Sequence, residues 1–356
     1  MTELNGAIIS LGSISSKWIV EEMKKHFTHV DHLDIKDLEV SLGKKAEILY
    51  RGKPLSSYDC IYARGSFRYA TLLRSLTALL SKSCYLPLDS EAYTIGHDKI
   101  LTHLKLQTAG IPMPKTYIVA TAEAGKKIIK KTQYPIVLKL PSGTHGKGVM
   151  LADSHESASS MIDALALLKQ PFLIQEYIET GGTDTRVIVV GETAVAGMKR
   201  VAVKGEKRAN IHMGGQGRAI KLDETIRKLA VKAARACSCD ICAVDILQGP
   251  NGPVVIEINL SPGLQGITQV TGINVANMIA EELFTKAKEF KHGLKEKEKK
   301  QVMKELFPSQ EFTSKLTFRG ERILLPTEVT KFGKFDEDDE VIIKTEKGKT
   351  TIEKFQ

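Results

Sequence analysis

Two polar residues, Glu257 and Asn259, interrupt the apolar stretch VVIEINLSPG at residues 254–263. On an extended chain, residues two apart point to the same side, so the two side chains converge if this run is a strand. Asp245 sits in CAVDILQ, which also reads as a strand, and GPNGP between the two runs is strong turn chemistry. A hairpin would bring all three oxygen-bearing side chains together. Asp, Glu and Asn without His or Cys form a hard-cation ligand set, suited to Mg2+ held by a few carboxylates plus substrate phosphates. The other reading is decoration on an edge strand facing solvent. Two carboxylates left unpaired on buried strands would be strongly disfavoured.

Cationic and glycine-rich segments precede this pair. IVLKLPSGTHGKGVMLA sets Gly143, Gly146 and Gly148 in a loop between two apolar strands, where the backbone can bend tightly and bring N–H groups to an anion. The chain then continues as a strand, which excludes both the Walker loop and the dinucleotide fingerprint. Lys139 lies inside the first strand, and a nucleotide phosphate would partner its ammonium; a hairpin with an exposed Lys stays open. In LIQEYI, Gln175 and Tyr177 share one face and Glu176 takes the other. Such a segment can offer backbone groups to a purine edge, although an amphipathic edge strand reads the same way. MKRVAVKGEKRANIHMGG gathers Arg200, Lys204, Lys207, Arg208, Asn210 and His212. It could hold phosphate and carboxylate together, or be a solvated basic loop.

The elements that must position these residues fall into series. GAIISLGS, SKWIVEEMKKHF, YDCIYARG and SFRYATLLRSLTALLSKS alternate strand and helix, which predicts a small α/β domain with a parallel sheet ending near LPLDSEAYTIG. HDKILTHLKLQTAG predicts a helix with Ile100 and Leu104 at helical spacing and Gly110 as its stop. Beyond it, strands and helices predict two α+β units with largely antiparallel sheets, and with the phosphate-binding segments beside it VVIEINL is expected as a core strand with its polar pair facing inward. KAKEFKHGLKEKEKKQVMKEL is a charged helical connection, and the last stretch predicts a small β unit with a hairpin at TEKGKTTI.

The bulk numbers agree with several domains: 356 residues, 42% hydrophobic, and no run approaching 18 apolar residues. The N-terminus has no basic region followed by an apolar core, so the expectation is a soluble, cytoplasmic protein. Five cysteines fit a reducing compartment, and Cys237, Cys239 and Cys242 read as helix-to-strand packing more readily than as a zinc site. The net charge of +9 suggests an acidic or phosphorylated partner. Residues 311–356 hold 9 Lys and Arg against 10 Asp and Glu, so the excess lies in the body of the chain.

Taken in order, the glycine loop with Lys139, the QEY segment, the basic loop, and Asp245 with Glu257 and Asn259 resemble the ATP-grasp fold. HDK, VLKLPSGTHGKGV, LIQEYI, DTRVIVVG, RANIH, VDIL and EINLSPGLQGI are similar to the RimK-like α-L-glutamate ligases, over about residues 5–285. The resemblance implies a pre-ATP-grasp α/β domain at 1–96, a central lobe at 97–172 and a C-terminal lobe with the metal site at 173–290. A helical linker at 291–310 and a β-rich module at 311–356 would follow. It implies that Lys99, Lys139 and the loop glycines meet the nucleotide phosphates, and that Glu176, Tyr177 and Ile178 form an adenine hinge. Asp184 would lie near the ribose and Arg186 would line the site. Arg200, Arg208 and Asn210 would hold the γ-phosphate and an acyl phosphate, and Asp245, Glu257 and Asn259 would bind two Mg2+ or Mn2+ ions.

The implied activity is ATP-dependent joining of L-glutamate, or a related amino acid, to an acceptor carboxylate on a protein C-terminus or a coenzyme tail. Ser261, Pro262 and Gly263 follow the glutamate-ligase form rather than that of ligases acting on amino-group carrier proteins in lysine or arginine synthesis. Arg64, in ARGSFRY, could contact the acceptor or be a surface residue after a strand. Val201 and Met213 replace basic residues of the ribosomal-protein-modifying members, which leaves acceptor and amino acid open. The tail resembles AbrB-like swapped-hairpin modules and points to a homo-oligomer, a dimer or tetramer. A DNA-binding regulator is the reading from another class, and the acidic run DEDDE weighs against it. No membrane partner is expected.

Overall fold

Polar caps set where the helices begin. Ser13, Asp98, Thr121, Ser154 and Asp223 each stand in extended backbone and accept a hydrogen bond from a first-turn N–H of the helix that follows. The computed structural model describes residues 3–141, 143, 148–201, 216–306, 314–315 and 317–355. The chain divides into two units, residues 1–293 and 294–356.

In the first unit the opening segment forms the expected parallel sheet, with Asn5–Ser10 between His29–Asp34 and Cys60–Ala63. Helices Ile14–Met23 and Ala70–Leu80 follow its strands, and both strands whose C-terminal ends matter here finish at polar residues, Ser10 and, one residue later, Arg64. A second, antiparallel sheet of Leu38–Ser41, Glu47–Tyr50 and Lys53–Pro54 was not expected. Its turn at Arg51 and Gly52, both at positive φ, is the signal the sequence carried for it.

A four-stranded antiparallel sheet follows, ordered Thr116–Val119, Phe172–Glu176, Ile136–Lys139, Val149–Ala152. Helices Ala122–Ile129 and His155–Ala166 cover one face and bury Ile129, Ile162, Phe172 and Ile174 in a core of their own. The five-stranded antiparallel sheet is ordered Gln216–Ala219, Thr193–Val201, Thr183–Val190, Ile241–Gly249, Gly252–Asn259. Its central strands bury Val187, Ile188, Val189 and Val244, and helix Glu224–Ala236 packs on them. This core is continuous with that of the opening segment.

Two expectations need correction. The expected core strand VVIEINL does bury Val255 and Ile258, but Gly252–Asn259 closes the sheet at one edge, where the Val255 N–H donates to the Pro112 carbonyl. The helix Lys99–Thr108 stops before Gly110 at φ +62 as expected, but Leu104 is 51% exposed while Thr102, His103 and Leu106 are buried. Two polar residues, Thr102 and His103, thus share the buried side of the helix with Leu106.

A single helix, Val275–Leu306, covers the stretch expected as a charged helical connection. In the second unit the described residues form two hairpins, Thr317–Arg319 with Arg322–Leu324 and Val341–Glu346 with Lys349–Lys354, the latter at TEKGKTTI. A short helix, Thr327–Gly333, was not expected.

Candidate active site

The hairpin of Ile241–Gly249 and Gly252–Asn259 pairs Asp245 directly opposite Glu257 and Ala243 opposite Asn259. The three oxygen-bearing side chains therefore share one end of one face, and all three line a cavity of about 470 Å3 in the first unit. Lys99, Lys139, Gly143, Glu176, Tyr177 and Ile178 line the same cavity. So do Asp184, Arg186, Arg200, Arg64, Ser261 and Gly263. Residues spread over two hundred positions thus meet at one place, as expected.

Gly148 is the exception. It stands at φ +76 where the hairpin returns, its carbonyl accepting the Leu140 N–H, and it is off the cavity wall. Its freedom from a Cβ shapes the turn, since a methyl group there would press on Leu140. Gly146, Arg208 and Asn210 lie outside the described residues, as do Lys204, Lys207 and His212.

The carboxylates are held by guanidinium groups. Arg186 forks onto Asp245, Nε to Oδ1 at 2.8 Å and Nη2 to Oδ2 at 2.7 Å. Arg200 forks onto Asp184 at 2.6 Å twice and reaches Asp245 Oδ2 at 2.7 Å. Burial opposes the charge on Asp245, but Arg186 and Arg200 together hold its carboxyl well below the usual range. Burial and the nearby Asp245 charge push Asp184 up to about 6, against the pull of Arg200. Burial likewise opposes the Arg200 charge, and the two carboxylates hold it above the ordinary guanidinium range. Arg200 thus meets carboxylates in this structure where a phosphate was expected.

The donor set fits a hard cation. Among the described residues no three of His, Cys, Asp and Glu cluster for a metal. The Asp245–Glu257 pair gains its third oxygen from Asn259, giving oxygen donors only. The Glu257 carboxylate makes no hydrogen bond or ion pair within the described residues and only raises the Lys139 ammonium electrostatically, whereas Asp245 would have to exchange a guanidinium for a cation.

Lys139 leaves the end of its strand on the cavity side. Burial, aided by Lys99 and opposed by Glu257, pushes its ammonium down to about 8. Lys99 Nζ donates to the Gly143 carbonyl at 3.0 Å. At the hinge, the Glu176 carboxylate accepts from the Lys115 N–H at 2.8 Å, which pins the strand end and leaves the backbone of 176–178 along the cavity.

Arg64 is buried, 4% exposed, which removes the surface reading. Its Nη2 donates to the Pro262 carbonyl at 2.7 Å, and its Nη1 is buried without a hydrogen-bond partner among the described residues. The Gly65 N–H donates to Ser261 Oγ at 3.1 Å, and the Ser261 N–H donates to Asn259 Oδ1 at 3.0 Å. The turn after the edge strand is therefore bolted to the end of the parallel sheet. Ser10, Ser13 and His97 also line the cavity and were not singled out from sequence. Ser10 is a polar residue ending an apolar strand and His97 opens HDK, the only signals available. All five cysteines are free and buried, Cys237, Cys239 and Cys242 within the core.

Comparison with known proteins agrees with this geometry. A family model described as the RimK-like ATP-grasp domain matches residues 96–283. The chain is 41% identical over 246 residues to a probable alpha-L-glutamate ligase of Shewanella loihica, covering 68% of this chain and 81% of that one. It is 40% identical over 249 residues to a protein of the same description from Legionella pneumophila strain Corby, covering 68% and 82%. In fold it is similar to a RimK domain ATP-grasp protein from Sphaerobacter thermophilus, with TM-score 0.62 at 20% identity over 78% of this chain and 98% of that one. The ATP-grasp ligase PsnB, complexed with minimal precursor, Mg and ADP, aligns with TM-score 0.62 at 17% identity over 80% and 98%.

Proposed function

The chain belongs to the RimK-like ATP-grasp family, and from that premise we propose that it adds L-glutamate to an acceptor carboxylate through an acyl phosphate. It is a ligase that forms a carbon–nitrogen bond with cleavage of ATP. The observation that carries the finer reading is the single cavity in which Lys99 and Lys139 face the oxygen set of Asp245, Glu257 and Asn259. The choice of glutamate is supported by the description of relatives about 40% identical to this chain.

In this reading the backbone of Glu176, Tyr177 and Ile178 receives the adenine, Asp184 and Arg186 flank the nucleotide, and Lys99, Lys139 and Gly143 meet the phosphates. Gly146, Arg208 and Asn210 join them from outside the described residues, with Arg208, Asn210 and Arg200 on the transferring phosphoryl group. An acceptor carboxylate oxygen attacks the γ-phosphorus and ADP leaves; the amine of glutamate then attacks the acyl carbon, phosphate leaves, and the nitrogen gives up a proton. Fixed cationic side chains stabilise charge that gathers on the phosphoryl oxygens. Asp245, Glu257 and Asn259 would hold Mg2+ or Mn2+, two ions in all, which when bound would neutralise the phosphates. Arg64, Ser261 and Gly263 stand on the substrate side. The acceptor is a protein C-terminus, such as that of a ribosomal protein, or a coenzyme tail.

The setting we propose is a cytoplasmic homo-oligomer. Free thiols at all five cysteines fit a reducing compartment, and Phe318, Ile323, Leu324 and Ile343 are exposed in the second unit, as a dimerising module requires. Among the described residues no helix is long and apolar enough to cross a membrane. The test is ADP release with Mg2+ against a panel of amino acids and carboxylate acceptors, with mass spectrometry of the products. A mass gain of one or more glutamyl residues on an acceptor supports the reading. Turnover with every amino acid except glutamate would sink it.

A further inference from the structure

Three hydrogen bonds meet at the amide of Gln175, which is 3% exposed in the strand between Thr116–Val119 and Ile136–Lys139. Its Oε1 accepts from Lys139 Nζ at 2.6 Å, its Nε2 donates to Thr116 Oγ1 at 2.7 Å, and the same Nε2 lies 2.9 Å from His103 Nε2. Thr116 is the cross-strand partner of Gln175, Lys139 lies two residues beyond its other partner Val137, and His103 comes from helix Lys99–Thr108.

Backbone carbonyls at the two outer ends fix the direction of every bond. His103 Nδ1 lies 2.7 Å from the Lys99 carbonyl, which can only accept, so Nδ1 carries the proton and Nε2 is left as an acceptor. The Thr116 hydroxyl donates to the Pro114 carbonyl at 2.8 Å, so it too turns a lone pair toward Gln175. Two acceptors on one side require the amide NH2 there. The amide oxygen is then forced to face Lys139, an orientation settled by the network rather than by the shape of the side chain.

We propose that Gln175, His103 and Thr116 are positioning residues for nucleotide binding, holding the amide oxygen against the Lys139 ammonium so that its charge stays aimed into the cavity. The inference rests on the assignment of Lys139 to the nucleotide phosphates. The relay also joins the two phosphate-directed lysines, because His103 is anchored on the carbonyl of Lys99, whose own Nζ is tied to Gly143. For folding alone, apolar side chains at 103, 116, 139 and 175 together would serve as well, since a buried polar set replaced as a whole by apolar groups is often neutral in stability. The polar set has a purpose once a charged amine must be held at the edge of a core.

The experiment is calorimetric titration of the full chain with ADP at one pH and salt concentration, with a melting curve for each variant. Lys139→Met should lose ADP binding, which checks the underlying assignment. Gln175→Leu should raise the ADP dissociation constant about ten-fold or more, the effect of a lost hydrogen bond to a charged group. Thr116→Val should raise it a few-fold, and Thr116→Ser, which restores the hydroxyl, should return it to within about two-fold of the starting protein. A folded Gln175→Leu that binds ADP within about two-fold of the parent overturns the proposal, as does a Thr116→Ser no tighter than Thr116→Val. If Gln175→Leu does not fold, the Thr116 pair decides alone by the same criterion. Normal ADP binding by Lys139→Met would instead remove the phosphate assignment and the inference with it.

Discussion

Arg186 holds both carboxylate oxygens of Asp245 from the directly opposite position in the neighbouring strand. The hairpin therefore presents Glu257 and Asn259 with their amide and carboxylate oxygens near the cavity while its third oxygen pair is already shared with two guanidinium groups.

Removing the charge at Asp245 should be felt in stability. Asp245→Asn leaves Arg186 and Arg200 with one formal partner, Asp184, in a site where Asp245 is 3% exposed. Breaking a buried pair in this way costs about 3 kcal/mol. Urea unfolding followed by circular dichroism reads it, and a midpoint equal to that of the parent protein would contradict the buried network.

Glu257→Gln should behave in the opposite manner. Within the described residues the Glu257 carboxylate has no hydrogen bond or ion pair to lose, so the melting temperature should stay close to that of the parent. Mg2+-dependent ADP release should drop by at least about a hundred-fold, as expected when a residue that would hold the cation is neutralised. Normal turnover would refute the cation assignment.

Nucleotide binding should weaken in alkali. The folded Lys139 sits at about 8 against an ordinary 10.5, chiefly through burial. Between these values the native state binds fewer protons than the unfolded chain, so the penalty of the charged amine is complete below pH 8 and is relieved as pH rises through the window. Phosphate favours the charged amine, so ADP affinity should fall from about pH 8 upward, by up to about ten-fold per unit. Calorimetry from about pH 7 to about pH 9.5 checks this, and Lys139→Arg should flatten the fall because its charge persists. An equally steep fall in that variant would assign the titration elsewhere.

Helix Lys99–Thr108 offers a test of packing. Leu104→Ala should change stability by less than about 0.5 kcal/mol, because that side chain faces outward. Leu106→Ala should cost about 2 to 5 kcal/mol, because Leu106 is fully buried. Equal losses in thermal unfolding would mean that the helix is rotated from the orientation described.

Much of the site was legible because local rules suffice for it. The turn at GPNGP and the two-residue period of VVIEINL place Glu257 and Asn259 on one side and bring Asp245 across. The two strands on either side of the glycine segment were legible for the same reason, as a change of backbone chemistry within a dozen residues. His103 was not. A histidine in a helix carries no mark of its partner when that partner, Gln175, lies 72 residues away on another strand.

By itself, then, the sequence determined the order of elements, the oxygen set of the hairpin and the family to which these motifs belong. These depend on φ/ψ preference, side-chain period and turn residues, all of which act over a few positions. Tertiary structure alone decided that Gly252–Asn259 is an edge strand, that Arg64 is buried against Pro262, and that Leu104 rather than His103 faces outward. Each depends on which surfaces meet across the fold, and burial of a polar group is permitted only where a distant partner completes its hydrogen bonds.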